Sequence, residues 1–493
     1  MSFHIRTSHG SNVLQDVPSL VRRVAEGRPV ITRERLLALS HRLLQATTFN
    51  DVQLSIAHTV RMVTRLANNR VLLSDDGDTI EVQIGYTRGP FVYFNTNQLD
   101  DRTLVAGITE CERLLRASAT AHVESWMHHE IPMQDTPVSV NLWHEPTVQA
   151  MTSSTARETM ASDLLRAVTR AQLQASGFVG LMARAETMLR KDGDIVFYNE
   201  ETDSEITMTA RSRDGTRSGW GGQAARDWSM IRPADIAQRA IRMATLEGAV
   251  VAVEPGRRTA ILTSTAMAQI VRFLAKQFDA RDTDGGETAL SKSPHGGNKL
   301  RQRVVDPRLT MTSDPADPDG GYRPFFDELA CVATPPMTWI EHGTLKNMAY
   351  DKLYAMDRGK TYADLPFSLR MTGGETTVDE MIASCREGIY VNQFSDLSLV
   401  DRHSALLTGV TRDGCFLVKN GQIVKAIKNF RFLESPFFFL NKIDVLGAPE
   451  RAAFGYTPQV PGDEWWRGWP RPPVIVPPMM VRDFNFSALA DFV

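Results

Sequence analysis

Cys415-Phe416-Leu417-Val418-Lys419-Asn420-Gly421-Gln422-Ile423-Val424-Lys425-Ala426-Ile427 decides how the C-terminal half of this 493-residue chain is read. Two runs, Cys415 to Lys419 and Gln422 to Ile427, flank an Asn-Gly pair, the residue types that reach the positive φ angles of a type I′ turn. The stretch predicts a β-hairpin. A second turn signal, Glu341-His342-Gly343-Thr344, lies in the β-patterned region that starts at Met337. The C-terminal region is therefore expected to be mainly β. Its Trp- and Pro-rich tail, Asp463 to Pro478, is expected to pack on a surface without regular structure.

Working back from the hairpin, Asp282 to Gly321 is dense in Asp, Gly, Pro and Ser and too long for an ordinary connection, which predicts a functional loop or an interface arm. Thr265 to Phe278 is helical in pattern, with Ile270, Val271, Leu274 and Phe278 on one face, and Thr259 to Leu262 is a short strand before it. Glu254-Pro255-Gly256 separates this half from the other.

In the N-terminal half, Thr32 to Ala46 is an amphipathic helix capped by Thr32. Short strands follow, Asp51 to Ile56, His58 to Leu66, Asn69 to Leu73, Thr79 to Tyr86 and Pro90 to Asn95, punctuated by Asp75-Asp76-Gly77-Asp78 and Arg88-Gly89-Pro90. A helix from Asp101 to Ala117 closes the unit. The same order returns: a helix from Thr155 to Ser176, strands at Gly177 to Leu189, Asp194 to Asn199 and Glu205 to Arg211, a Gly-rich connector from Gly215 to Gly222, and a helix from Pro233 to Leu246. This recurrence predicts an internal duplication.

Composition narrows the function classes. A chain of 493 residues with 42% hydrophobic and 23% charged residues is globular and long enough for two or more domains. Its longest apolar stretches, such as Ser435 to Leu440, fall far short of the roughly 20 residues that span a bilayer. The N-terminus lacks the pattern of a secretory signal, so a cytoplasmic location is expected. Cys111, Cys331, Cys385 and Cys415 have no chelating spacing and read as reduced thiols. A formal charge of −3 makes no electrostatic case for nucleic acid.

An ordered set of runs identifies a relative. Trp339-Ile340-Glu341-His342-Gly343-Thr344-Leu345-Lys346-Asn347, Arg386-Glu387-Gly388-Ile389-Tyr390-Val391, Phe416 to Ile423 and Lys442-Ile443-Asp444-Val445-Leu446-Gly447 resemble the TldD/PmbA family. The likeness extends over about Thr32 to Val481. It implies an α+β fold: duplicated N-terminal sheets flanked by helices over 1–250, and a β-rich, barrel-like domain of the TldD type over 251–493. The resemblance also implies a heterodimeric zinc peptidase that trims peptides, including ribosomally made modified ones. One subunit carries HExxxH on a helix after a strand, with a cysteine ligand late in the chain, and its TldE- or PmbA-type partner has the same fold without the motif. Zinc needs imidazole or thiolate donors and an open water position, and a carboxylate takes the proton from that water.

Here the motif position reads Arg272-Phe273-Leu274-Ala275-Lys276-Gln277, on a helix expected from Ala268 to Asp282. Arg272 cannot ligate a cation, Phe273 cannot act as a base and Gln277 is a poor ligand. No HExxxH or HExxH occurs in any register, and no cysteine lies beyond Cys415. The resemblance therefore implies no catalytic residue, metal or cofactor in this chain, with zinc in an HExxxH-bearing TldD-like partner and a peptide as substrate. The run Thr288 to Leu300 looks like a loop of motif-less members, which makes Ser291, Lys292, His295, Asn298 and Lys299 candidates for the substrate cleft or the subunit interface.

Other features carry plainer readings. His128-His129-Glu130, with His122 nearby, clusters metal-binding types, but adjacent histidines point to different sides, and a solvated helix end is the expected reading. Ser291-Lys292-Ser293 resembles Ser/Lys hydrolase chemistry, yet a polar loop does not desolvate a lysine. Trp465-Trp466-Arg467-Gly468-Trp469 could stack on bases, though a domain or subunit contact fits better. Two rivals stay open: a self-sufficient peptidase with displaced ligands such as His128, His295 or His403, and a non-proteolytic regulator of the gyrase-modulator type.

Overall fold

Strands far longer than any segment between the turn signals build the N-terminal half. The computed structural model describes residues 2–4, 19–50, 52–86, 91–98, 100–119, 141–153, 155–191, 193–322, 335–455 and 471–490. Val52–Ala67 pairs antiparallel with Arg70–Tyr86 on one side and with Gln174–Arg190 on the other. The seven-stranded sheet runs in the order Ser2–His4, Phe91–Thr96, Arg70–Tyr86, Val52–Ala67, Gln174–Arg190, Gly193–Arg211, Ser218–Ala225. Apart from Ser2–His4, which adds parallel to Phe91–Thr96 at one edge, each half of it is a helix, three antiparallel strands and a helix, and the halves join at the Val52–Ala67/Gln174–Arg190 pairing.

The helices Arg33–Ala46, Asp101–Ala119, Ala156–Arg170 and Pro233–Ala244 cover one face of the sheet. Strand period 2 places Leu54, Ile56, Val60, Ile80, Val82 and Leu181 on that face against Leu36, Leu39, Leu43, Leu104 and Ile108, and Ile206 and Met208 against Leu164, Val168, Ile236 and Ala240. The close fit of the last helix depends on glycine, since a Cβ at Gly219 or Gly221 would lie 2.3 Å from the Ala240 or Ile236 carbonyl oxygen.

Several local expectations change. The strand Arg70–Tyr86 runs straight through Asp75-Asp76-Gly77-Asp78, where two of the aspartates have cationic partners: Asp76 pairs with Arg157 at 2.9 Å, and Asp78 with Arg23 at 2.7 Å. The real hairpin turn is Asn68-Asn69, with φ of 49° and 61°. Likewise Asp194 to Asn199 and Glu205 to Arg211 are one strand, and Gly215 to Gly222 is not a connector, since Ser218–Ala225 forms the sheet edge.

Beside Asp78 sits His58, fully buried on the helix-covered face. The Ile31 N–H donates to its Nδ1 at 2.9 Å, so the proton is on Nε2, which lies 2.7 Å from Asp78 Oδ1. Burial pulls the His58 pKa down, and the hydrogen bond to Asp78 only partly offsets it. The unfolded chain therefore takes up a proton below about pH 6.5 that the folded chain refuses, so stability present above that pH is lost as the pH falls. We expect up to about 1.4 kcal/mol lost per pH unit in that window, and a flatter profile in His58→Gln, read from urea midpoints between pH 7.5 and 5.5.

The C-terminal half is a closed five-stranded barrel. Gly256–Leu262 lies between Glu387–Asp401 and Met479–Leu489, then come Phe430–Glu434 and Leu406–Lys419, and the last pairs back to Glu387–Asp401. The Asn420-Gly421 hairpin forms as expected, with φ of 48° and 79°, and adds Gln422–Ala426 outside the barrel. Phe394, Phe430, Phe432, Phe484 and Phe486 fill the interior with ring centroids 4.6–6.0 Å apart. A six-stranded sheet packs beside it, and His342-Gly343 turns one of its hairpins with φ of 47° and 74°. Part of the tail expected to lack regular structure is in that sheet, since Val474–Val476 pairs parallel with Leu369–Arg370. No helix among the described residues is long and apolar enough to cross a membrane.

Candidate functional site

Where the barrel meets the bare face of the sheet, a cavity of about 170 Å³ opens. The strand Gly256–Leu262 delivers the chain to Thr263, whose hydroxyl accepts from the Ala266 N–H and starts the helix Ser264–Val271. The expected single helix from Ala268 to Asp282 is three pieces, because the chain tightens into a 3₁₀ helix over Arg272–Phe278 and restarts at Ala280–Asp284. Backbone bonds to Ala349 from both sides of Asp279 hold the break, and Asp279 caps the restart.

The three motif-position residues diverge. Phe273 lines the cavity. The Arg272 guanidinium, largely buried, lies 4.7 Å from the centre of the Phe454 ring. Gln277 turns away into the core, where its Oε1 accepts from the Ala289 N–H at 2.9 Å. The other cavity-facing side chain of this helix is Gln269, one turn before Phe273, and its Oε1 accepts from the Phe394 N–H at 2.7 Å.

Opposite the helix stands Asp413, buried at a bulge where Asp413 and Gly414 have φ of 48° and 121°. Its carboxylate accepts from Gln393 Nε2 at 2.9 Å, Thr209 Oγ1 at 3.5 Å and Arg211 at 3.4 Å. Asn392 Nδ2 donates to the carbonyls of both Asp413 and Trp220, fastening the bulge to the edge strand of the sheet.

A row of alternating acids on the bare face of Gly193–Arg211 completes the junction. Glu201 pairs with Arg226 at 3.0 Å, Asp203 with Arg451 at 2.7 Å and Glu205 with Arg471, all largely buried. Glu205 Oε1 also accepts from the Phe454 and Gly455 N–H groups at 2.9 and 2.6 Å, so this carboxylate shapes the wall that Phe454 and Gly455 give the cavity.

These donors do not fit a zinc ion. The cavity offers amides, hydroxyls, the aromatic rings of Trp220, Phe273, Phe394 and Phe454, Arg412, exposed Asp396 and an Asp413 already engaged by amide, hydroxyl and guanidinium donors. No group of three or more His, Cys, Asp and Glu able to hold a metal occurs among the described residues. Cys415 is buried in the barrel wall, which pushes its thiol up to about 12. A larger cavity, about 610 Å³, is lined by Arg217, Gly248–Val250, Gly414–Phe416 and Ala426–Asn429, next to the Asp413 bulge but without Asp413 or the motif-position helix.

The expected interface loop is ordered: Ser291–Ser293 and Gly296–Asn298 form a small hairpin. Its residues divide. Ser291 is buried and donates to the Thr283 carbonyl at 2.8 Å, Asn298 donates to Asp284 at 2.7 Å, and Lys299 donates to the Ala289 carbonyl at 2.7 Å. Lys292 and His295 are exposed. The Ser291 hydroxyl is thus spent on a carbonyl, with the Lys292 side chain on the other face of the strand. His403 bonds through Nδ1 to the Gly286 carbonyl at 2.9 Å. His122, His128, His129, Glu130, Cys331 and the Trp465–Trp469 cluster lie outside the described residues.

The sequence reading missed Gln269, Gln393, Asp413 and Glu205. Two signals were present: an Asp-Gly pair inside an otherwise apolar strand marks a bulge, and acids at every second position of a strand mark one polar face.

Residues 255–488 match the PmbA/TldA metallopeptidase C-terminal domain. A metalloprotease TldD homologue of Buchnera aphidicola is 33% identical over 121 residues, an alignment spanning 22% of this chain and only 25% of that relative. Among solved structures, TldE from Thermococcus kodakarensis superposes with a TM-score of 0.73 at 13% identity, covering 92% of this chain and 99% of its own. A proposed DNA gyrase modulator from Thermotoga maritima gives 0.73 at 17% identity, covering 91% and 99%, and another from Bacteroides thetaiotaomicron gives 0.72 at 15%, covering 93% and 100%. At these identities the structures establish the shared fold.

Proposed function

Through its C-terminal domain the chain belongs to the TldD/PmbA metallopeptidase family, and from that premise we propose that it is the metal-free, non-catalytic subunit of a two-subunit zinc peptidase that processes peptides. The observation that carries this reading is the cavity-facing side of the helix after the Gly256–Leu262 strand, which presents Gln269 and Phe273. Neither can activate water, and Gln269 already caps the Phe394 N–H. The likeness to a protein named TldE supports the subunit role and an HExxxH-bearing TldD-like partner that supplies the zinc. On this reading the chain completes a peptide cleft and holds extended substrate through backbone pairing, which tolerates varied sequence, and modified ribosomal peptides are the substrate class.

Reconstitution tests it. The purified chain alone is expected to cleave no peptide and to hold no stoichiometric zinc, and addition of its HExxxH-bearing partner is expected to produce zinc-dependent cleavage that neither chain gives alone. Hydrolysis by the isolated chain would refute the proposal in favour of displaced ligands such as His128, His295 or His403. Capture of gyrase subunits in place of an HExxxH protein would favour the gyrase-modulator reading that two structural relatives bear in their descriptions.

A further inference from the structure

We propose that the Arg272 guanidinium takes the structural place of the absent metal, as a fixed cation that ties the motif-position helix to the late segment around Phe454. The inference rests on the subunit reading above, because it uses the register that puts Arg272 at the first motif position. In metal-bearing members a zinc ion would join two distant parts of the chain: the helix, through its histidines, and a segment beyond the stretch matching Ile443 to Gly447, through a late cysteine. Here the same two parts are joined by another bond. Arg272 stands where the α-helix passes into the 3₁₀ helix, and its guanidinium lies 4.7 Å from the centre of the Phe454 ring.

The surroundings are built for a cation held by a π face. Phe454 is 3% exposed and Arg272 9%. A desolvated cation interacts with an aromatic quadrupole more strongly than an exposed one. The ring is held in place from the rest of the junction: its own backbone N–H and that of Gly455 go to Glu205, and Arg471, bonded to Glu205 and to the Gly455 carbonyl, lies 5.6 Å from the same ring. A zinc ion with a thiolate ligand would supply both the link and its counter-charge in one centre. Here the link passes from Arg272 to the Phe454 ring, whose segment is fixed in turn by Glu205 and Arg471. The disagreement between this donor set and zinc is therefore filled by a different cross-link, and the cavity wall keeps its place without an ion.

A double-mutant cycle and a metal-rescue variant test this. Arg272→Met, Phe454→Leu and the double variant are compared with the parent chain by urea unfolding. We expect non-additivity equivalent to about threefold or more in the unfolding constant. Full additivity overturns the proposal. Separately, Gln269→His, Arg272→His and Phe454→Cys combined would offer two imidazoles and a thiolate across the same gap. Added zinc alone is expected to raise the melting temperature of that folded variant by several degrees, reversed by a chelator, and to leave the parent unmoved. A folded triple variant indifferent to zinc overturns the equivalence. If the triple variant fails to fold, the cycle alone decides. Neither measurement involves the partner, so an additive cycle beside successful reconstitution refutes only this inference, and coupling beside cleavage by the isolated chain refutes only the subunit reading.

Discussion

Glu205→Ala is expected to destabilise the chain by about 3–5 kcal/mol, because it breaks a buried ion pair from one side only. The Glu205 and Arg471 side chains are 7% and 6% exposed, and one carboxylate also satisfies the Phe454 and Gly455 N–H groups. Alanine would leave a guanidinium and two backbone donors in a dry junction, each carrying its own desolvation cost. Glu205→Gln keeps the shape and one acceptor and should lose less. Since Glu205 belongs to the sheet, and Phe454, Gly455 and Arg471 to the part of the chain around the barrel, the loss should also loosen the two halves from each other. Urea unfolding of the alanine variant followed by near-UV dichroism should show a lower midpoint and a broadened or split transition. A loss below about 1 kcal/mol would mean that the junction is wet and the clamp weak.

Phe484→Ala is expected to cost a similar amount, about 3–5 kcal/mol, by a different mechanism. Its ring is fully buried among Phe394, Phe432, Phe439 and Phe486, with centroids 5.1–6.0 Å away. A closed barrel cannot collapse around the missing ring without breaking strand pairing, so most of the cavity should persist. The defect should unfold the barrel while the transition stays cooperative, which separates this variant from Glu205→Ala. Phe484→Leu, with less volume removed, should recover part of the loss.

These two positions also mark how far a linear reading reaches. Phe484 alternates locally with Asn485 and Phe486, but a bulge at Arg482-Asp483, with Asp483 at φ 56°, shifts the register after Val481, so that period 2 counted from Val481 would put Phe484 on the wrong face. Glu205 also falls in an alternating run that predicts a strand, yet nothing near it in sequence announces Arg471, 266 positions away in the chain. The strands came out too short for a related reason. Asp75 to Asp78 carries turn-forming residue types, and the partners that Asp76 and Asp78 meet on the extended path, Arg23, His58 and Arg157, are supplied by other elements.

The loop candidates divide on the same principle. The resemblance of Thr288 to Leu300 to a loop of motif-less members makes Ser291, Asn298 and Lys299 candidates, but each donates within its own loop neighbourhood, to Thr283, Asp284 and Ala289 respectively. Exposure and hydrogen-bond occupancy are properties of the folded neighbourhood, and residue type does not report them.

By itself the amino-acid sequence determined the α+β class, the Asn420-Gly421 hairpin, the alternating strands and helical faces, and the residue types at the motif position. Each of these depends on local backbone sterics, on period, or on chemistry that a side chain carries wherever it goes. Tertiary structure alone decided that the barrel closes, that Phe273 faces the cavity while Gln277 faces the core, and that Arg272 meets Phe454. Those outcomes depend on which distant groups satisfy one another once water is excluded, and burial sets that only after the chain has come together.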